Sequence, residues 1–464
     1  MKLFDQLISI KNEKLISFHV PGHKNSSLYK KYFSRLESIL DIDITEIPGS
    51  DDLFDASSCI KESQEILSSL IGSKASYFLV NGTTSGIYAM IMAATQPGDE
   101  ILIARDCHRA VYDGAFLGRL KIRYVEPTVM HGISIGITPE AVRKAIKKHP
   151  NVKALVLTYP NYYGIGADLK SIKSELDKSG IKLLVDEAHG AHLFLSEDLM
   201  PSAIKLAADI VVHSAHKSLP VMTQASVLHL NSDRIDKDKL EMMLKLHQTS
   251  SPSYILMSSL DIGYDILKEH GRPMMDNLLK TIEEFKKKKD YFLSKKDLPE
   301  GFFLDSTKLT LLGNKADINP VDLELQLRKY GIQLEFSNDK VAVFVSSIMN
   351  KSEDFDILSK TMEMLKFKCY SGIDNNGLSY ESSHKLDLHD AIYSKKSKVS
   401  LDSCENMIVG DYITPYPPGI PLLVPGEIID HNKVSLIKKM LEMNIKIVGI
   451  NDHHISVISN EEAK

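Results

Sequence analysis

Tryptophan is absent from this 464-residue chain, and its four cysteines, Cys59, Cys107, Cys369 and Cys404, stand far apart with no CxxC pair. That usage indicates neither a structural zinc site nor a dense disulfide framework, and a reducing, cytoplasmic setting fits it. No apolar run approaches the roughly 18 residues that a membrane-spanning helix needs. The opening MKLFDQLISIKNEKL is broken by charges before a signal-peptide core can form. Charge of one sign is also lacking: 56 Lys and Arg against 61 Asp and Glu give −5, which argues against a general nucleic-acid binder. No Gly-Lys-Ser/Thr occurs, so Asp186-Glu187-Ala188-His189, which spells a helicase box, has no phosphate loop to work with. The pairs His189/His192 and His213/His216 lack a convergent third ligand and the HExxH order, so no metal is expected. Gly164-Ile165-Gly166 lacks the third glycine of a dinucleotide fingerprint.

What is present is alternation. Between about residues 62 and 230, short apolar runs at 76–80, 100–104, 121–125, 154–158, 181–185, 209–213 and 226–230 are separated by helix-period segments such as 139–149 and 168–179. Such alternation predicts βαβ units around a mostly parallel sheet, an α/β fold. At about 150 residues per domain the length allows roughly three domains. The pattern divides into an N-terminal arm (1–61), a large domain (62–290), a small α/β domain (291–370, with strand-like 309–312 and 341–345), and a linker and C-terminal domain (371–464). The Gly-, Asn- and Ser-rich stretch 371–383 reads as the linker, and the lysine run 286–289 as a solvated helix face.

In open parallel sheets the chemistry lies just beyond the strands' carboxyl ends. After the first predicted strand comes Asn81-Gly82-Thr83-Thr84-Ser85-Gly86, hydroxyls and amides ahead of a helical 87–94, a receptor for phosphate. After the second comes Arg105-Asp106-Cys107-His108, after the fifth Asp186, and after the sixth Ser214-Ala215-His216-Lys217. Each has a bland reading as a cap, a turn or a surface charge. One cofactor uses all four: pyridoxal phosphate needs an amine for its aldehyde, a carboxylate for its ring nitrogen, a flat group against its ring and a phosphate cradle. The order cradle, imidazole, acid, lysine matches aspartate-aminotransferase-like, fold type I enzymes.

More specifically, the sequence resembles the bacterial ornithine/lysine/arginine decarboxylases, in the shorter form without an N-terminal wing domain. The resemblance is carried by Phe18-His19-Val20-Pro21-Gly22-His23-Lys24, by Thr45-Glu46 with Gly49-Ser50-Asp51-Asp52-Leu53, and by the phosphate turn. It continues through Asp186 to His189, His213 to Lys217, Asp305-Ser306-Thr307-Lys308, Gly331 to Glu335, Tyr416 to Pro421 and Pro425-Gly426-Glu427. Two departures stand out: Asp106 occupies a place where the family commonly has Asn, and the segment after the linker is divergent.

The resemblance implies an aspartate-aminotransferase-like fold with a C-terminal decarboxylase-type segment, and decarboxylation of arginine, lysine or ornithine to the amine and carbon dioxide. It implies that Lys217 carries pyridoxal phosphate, Asp186 pairs with its ring nitrogen, His108 stacks on the ring and His189 sits near Asp186 or the phenolic oxygen. Thr83, Thr84, Ser85, Ser214 and His216 would hold the phosphate. Glu335 would receive the distal cation of the substrate, with Asp51 and Asp52 reaching across a dimer interface, so a homodimer or higher homo-oligomer is expected. An aminotransferase or lyase of the same fold, or a low-activity regulatory homologue, is the competing reading.

Overall fold

A computed structural model describes residues 10, 12–32, 39–287, 289–370, 384–416, 419–443 and 445–459. The linker expected at 371–383 lies outside these described residues. All seven predicted strands form, within a residue at either end, and join one seven-stranded sheet in the order Ala75–Leu79, Ser226–Leu230, Ile210–His213, Lys182–Asp186, Ala154–Thr158, Glu100–Ala104, Lys121–Val125. Only Ser226–Leu230 runs against its two neighbours. The sheet is covered on both faces, which is why its strands read as nearly unbroken apolar runs: Ile101, Leu102 and Ile103 are wholly buried, as are Leu183, Leu184 and Val185.

The helices start where local chemistry dictates. Thr138 accepts from the Ala141 N–H at 3.2 Å, and Pro139 opens Pro139–Lys148. Asp168 does the same for Leu169–Asp177, accepting from Ser171 N at 3.0 Å. The helix expected from residue 87 starts earlier, at Gly82, and runs to Ala94, so Thr83 to Gly86 form its first turns rather than a loop ahead of it. Gly86 lets it press on the sheet: a Cβ there would lie 2.5 Å from Leu79 Cδ1 and 2.9 Å from Val212 Cγ1.

The long helix Tyr254–Lys286 leads to a smaller layer, in which the antiparallel strands Lys308–Leu312, Val341–Val345 and Phe336–Ser337 pack with the helices Pro320–Lys329 and Ser352–Met364. The lysine run at its start is not a purely solvated face. Lys286 reaches the Leu293 carbonyl at 3.2 Å, and Lys289 the Ser359 hydroxyl at 2.9 Å. The N-terminal segment is bound to this layer, since Ile16–Phe18 pairs in parallel with Ile332–Leu334. Phe18 fills the core edge-on to Phe344 and Phe355.

The C-terminal part has a hydrophobic cluster of its own, including Leu401, Val409, Ile413, Leu423, Ile437 and Val457, beneath the helix His431–Glu442 and the strand pair Lys396–Ser400 with His454–Ile458. It is tied to the large sheet by one buried ion pair. Arg105, just past the end of Glu100–Ala104, donates to the Pro421 carbonyl at 2.7 Å, the Leu422 carbonyl at 3.0 Å and Glu427 Oε2 at 3.1 Å. The aromatic rings of Tyr112 and Tyr124 flank its guanidinium at 5.8 and 5.2 Å. No helix among the described residues is long and apolar enough to cross a membrane.

Candidate active site

At the carboxyl ends of the parallel strands lies a cavity of about 380 Å³, reached by nine of the residues named from sequence: Thr83, Thr84, His108, Asp186, His189, Ser214, His216, Lys217 and Glu335. Asp186 is the last residue of its strand and is 3% exposed. Its Oδ1 accepts from the Ala188 N–H at 3.1 Å, and among the described residues it forms no ion pair. Burial pushes its carboxyl above the usual carboxylate range, with Lys217 pulling the other way. A buried carboxyl of this kind fits a protonated ring nitrogen, which would supply the missing positive partner.

Lys217 lies in the short helix Ala215–Ser218, directly after the strand Ile210–His213. Burial lowers its pKa, while Asp186 and Glu335 raise it. Its Nζ lies 3.0 Å from His189 Nε2. The opposite ring nitrogen, His189 Nδ1, lies 2.5 Å from the Nζ of Lys308. His189 is held well below its ordinary pKa by burial and then by these two lysines.

The expected phosphate cradle falls on the first turn of the 13-residue helix Gly82–Ala94, where the backbone N–H groups lack intrahelical partners. The Thr83 hydroxyl bonds Ser214 Oγ and, at 3.0 Å, Ser226 Oγ, so three hydroxyls from three elements converge. His216 stands beside them with its Nδ1 3.2 Å from the Ala225 carbonyl. The Ser85 hydroxyl donates to the Gly82 carbonyl at 2.8 Å, and Ser85 is not among the residues lining the cavity.

His108 caps the helix Arg109–Leu117, accepting from Ala110 N at 3.2 Å, while its ring opens to the cavity. Burial and the nearby Lys217 bring its pKa down to about 4. Gly419 backs the ring from the C-terminal segment. At φ +86° it occupies the left-handed region, and a Cβ there would lie 3.1 Å from two atoms of the imidazole.

Glu335 closes the other side. Its Oε2 accepts from the Val20 N–H and its Oε1 from the Tyr162 hydroxyl, both at 2.8 Å. Asp51 and Asp52 are not brought to this cavity. The Asp51 carboxylate accepts N–H groups from Asp52, Ser57, Ser58 and Ile60 at 2.9–3.0 Å, and Asp52 accepts from Phe54 N at 2.8 Å. They organise the turn that opens the helix Cys59–Ile71.

The histidine pairs considered as metal ligands are occupied elsewhere: His192 Nε2 is 3.2 Å from Asp305, and His213 Nε2 is 2.7 Å from Glu187. Tyr162, four residues past the strand Ala154–Thr158, also lines the cavity and is not among the residues expected from the sequence. The sequence also gave Lys308 no place beside His189. Asp106, the departure from the family pattern, is buried against the Ser134 hydroxyl and reaches the cavity.

Comparison with known proteins agrees with this geometry. The family model for the Orn/Lys/Arg decarboxylase major domain matches residues 2–339, and that for the C-terminal domain of the same family matches residues 381–453. A Bacillus subtilis relative named uncharacterized protein YaaO is 36% identical, covering 99% of each chain. An arginine decarboxylase of the same organism is 30% identical over 97% of this chain and 96% of its own. Among solved structures, a Francisella novicida lysine decarboxylase superposes with a TM-score of 0.78 at 20% identity, covering 94% of this chain and 77% of its own. A Sphingomonas wittichii serine palmitoyltransferase shares the fold at a TM-score of 0.58 and 16% identity, covering 75% of this chain and 86% of its own. The cofactor is pyridoxal phosphate, and the chain belongs to the Orn/Lys/Arg decarboxylase family.

Proposed function

We propose that the protein decarboxylates a basic amino acid, arginine, lysine or ornithine, releasing carbon dioxide and the corresponding amine. The observation that carries this reading is the presence, in one cavity, of the buried Asp186, the half-buried Lys217 and a further acid, Glu335, brought from the small layer. When bound, pyridoxal phosphate supplies an aldehyde that links to amines and a cationic ring that accepts the electrons of a bond broken at Cα.

The chain's own residues then divide the work. Thr83, Thr84, Ser214 and His216 hold the phosphate with the amides of the helix start, and Asp186 keeps the ring nitrogen protonated. Lys217 would offer the anchoring amine for the aldehyde. His108, with its pKa brought down to about 4, presents a neutral flat ring against the cofactor at physiological pH. Glu335 uses one acceptor site on each oxygen for Val20 and Tyr162, and a carboxylate has about four such sites, so capacity remains for a substrate cation. By holding the distal cation, Glu335 would fix the orientation of the substrate in the cavity and so which bond at Cα is exposed to reaction. No arginine lines the cavity among the described residues, which disfavours the carboxylate clamp of an aminotransferase.

Incubating the purified protein with arginine, lysine and ornithine separately, and detecting agmatine, cadaverine or putrescine by mass spectrometry, tests the proposal. One of these amines should appear together with an equal amount of carbon dioxide. Formation of a keto acid without carbon dioxide would overturn it.

A further inference from the structure

His189 has a lysine on each of its two ring nitrogens, Lys217 at 3.0 Å from Nε2 and Lys308 at 2.5 Å from Nδ1. A neutral imidazole carries one N–H and one lone pair. It can therefore accept from one ammonium and donate to one free amine, and it cannot serve two ammonium groups at once. We infer that Lys308 is the ammonium of this chain, that it fixes His189 in the Nε2–H tautomer, and that it thereby holds Lys217 as a free amine. This inference rests on the reading that Lys217 anchors the cofactor, because an aldehyde reacts only with an unprotonated amine.

Burial lowers the pKa of both lysines, that of Lys308 to about 7, so what sets this direction over its mirror image is the set of partners at each end. Lys308 follows the Asp305-Ser306-Thr307 turn. Asp305 is fully buried there, with its Oδ1 accepting from Thr307 N at 3.0 Å and from the Thr307 hydroxyl at 2.7 Å. The Lys308 ammonium also lies 5.6 Å from the centre of the Tyr162 ring, within cation–π range. Lys217 has Asp186 and Glu335 within electrostatic reach, but Asp186 is the partner of a ring nitrogen, and Glu335 raises Lys308 as well and so does not separate the two ends. His108 and His216 also face this end, and Lys24 faces Lys308. A positive charge on Lys308 acts on Lys217 in two ways: by repulsion, and by occupying the only lone pair through which His189 could stabilise a Lys217 ammonium.

Competitive acylation of the cofactor-free protein with a trace amine-reactive anhydride, with the Lys217 peptide quantified by mass spectrometry across pH, measures this directly and does not depend on turnover. In Lys308→Met the pH midpoint for Lys217 labelling should rise by about one unit, lowering its reactivity at neutral pH about tenfold. Lys308→Gln keeps an N–H donor for Nδ1 without the charge, and its midpoint should fall between wild type and Lys308→Met. In a His189→Phe background the Lys308 substitution should keep only the part of its effect that comes from repulsion. An unchanged Lys217 midpoint in Lys308→Met overturns the inference; should that variant lose its cooperative thermal melt, an unchanged midpoint in Lys308→Gln does so. Borohydride reduction of the holoenzyme separately reports which lysine bears the cofactor. Trapping at a residue other than Lys217 would refute the proposed function, whatever the acylation midpoints.

Discussion

The two sides of the cavity are built differently. Its floor comes from one sheet: Thr83, His108, Asp186, Ser214 and Lys217 each stand within a few residues of a strand's carboxyl end. Its mouth is assembled from distant parts of the chain. Glu335 bonds Val20 across 315 positions, and Tyr416 and Ile420 arrive with a segment that Arg105 holds through contacts up to 322 positions away. A floor fixed by a covered parallel sheet suits a cofactor that never changes. A mouth made from an arm, a small layer and a C-terminal segment can alter its depth without disturbing that sheet, which suits a family whose members differ in substrate.

The largest effect should come from the floor. Asp186→Ala removes the acid at the end of the strand Lys182–Asp186 that acts on Lys217, and should cut turnover about 10³-fold, ~4 kcal/mol, as expected for breaking a buried charge pair. Near-normal turnover in this variant would show that the floor does not carry the chemistry. Next is the lock between the two regions. Glu427→Gln strands the buried Arg105 guanidinium and should cost roughly 3 kcal/mol in urea unfolding at pH 7. Its pH dependence has a defined sign. Burial pushes the Glu427 carboxyl up, but Arg105, His384 and Lys433 hold it below its ordinary value. A depressed folded pKa gives stability that is fully present above the unfolded value of about 4.3 and is lost as pH falls through the folded one. The gap between wild type and Glu427→Gln should therefore close at acid pH, and a gap independent of pH would mean that the ion pair is not its source.

Substrate recognition should respond more modestly. Glu335→Gln keeps the shape and one acceptor oxygen but removes the charge. It should raise KM for the basic amino acid about tenfold, ~1.4 kcal/mol, with a smaller change in kcat, as for a hydrogen bond to a charged group. An unchanged KM would move the cation site elsewhere in the mouth.

The same division explains what could be read from sequence. The floor was legible because each residue directly follows an apolar run, and strand ends are where an open α/β sheet binds ligands. Ser85 sits apart from these because the helix begins at Gly82, which turns its hydroxyl back to its own first turn. Tyr162 was less legible because it lies four residues past the end of Ala154–Thr158, on a turn whose path back along the cavity no apolar run marks. The contact of Lys308 with His189 and the Arg105–Glu427 lock were illegible for a different reason: each joins residues 119 and 322 positions apart, and no local periodicity encodes such contacts.

The smallest effect separates two acids that the family pattern treats as similar candidates. Asp51 sits at φ +64° and spends its carboxylate on the turn before Cys59–Ile71, whose Ser58 makes no side-chain cap of its own. Partial burial works upward on this carboxyl, but the N–H groups of Ser57, Ser58, Asp52 and Lys61 hold it down to about 2. Its contribution is therefore complete above about pH 4 and disappears only as pH falls through 2. Asn tolerates the left-handed backbone but presents one acceptor oxygen, so Asp51→Asn isolates the cap. It should lower stability by about 1 kcal/mol and leave KM for the basic amino acid unchanged. Were KM to rise as in Glu335→Gln while the melt held, Asp51 would belong to the mouth of a neighbouring copy's cavity, and the mouth would then be built from two chains rather than one.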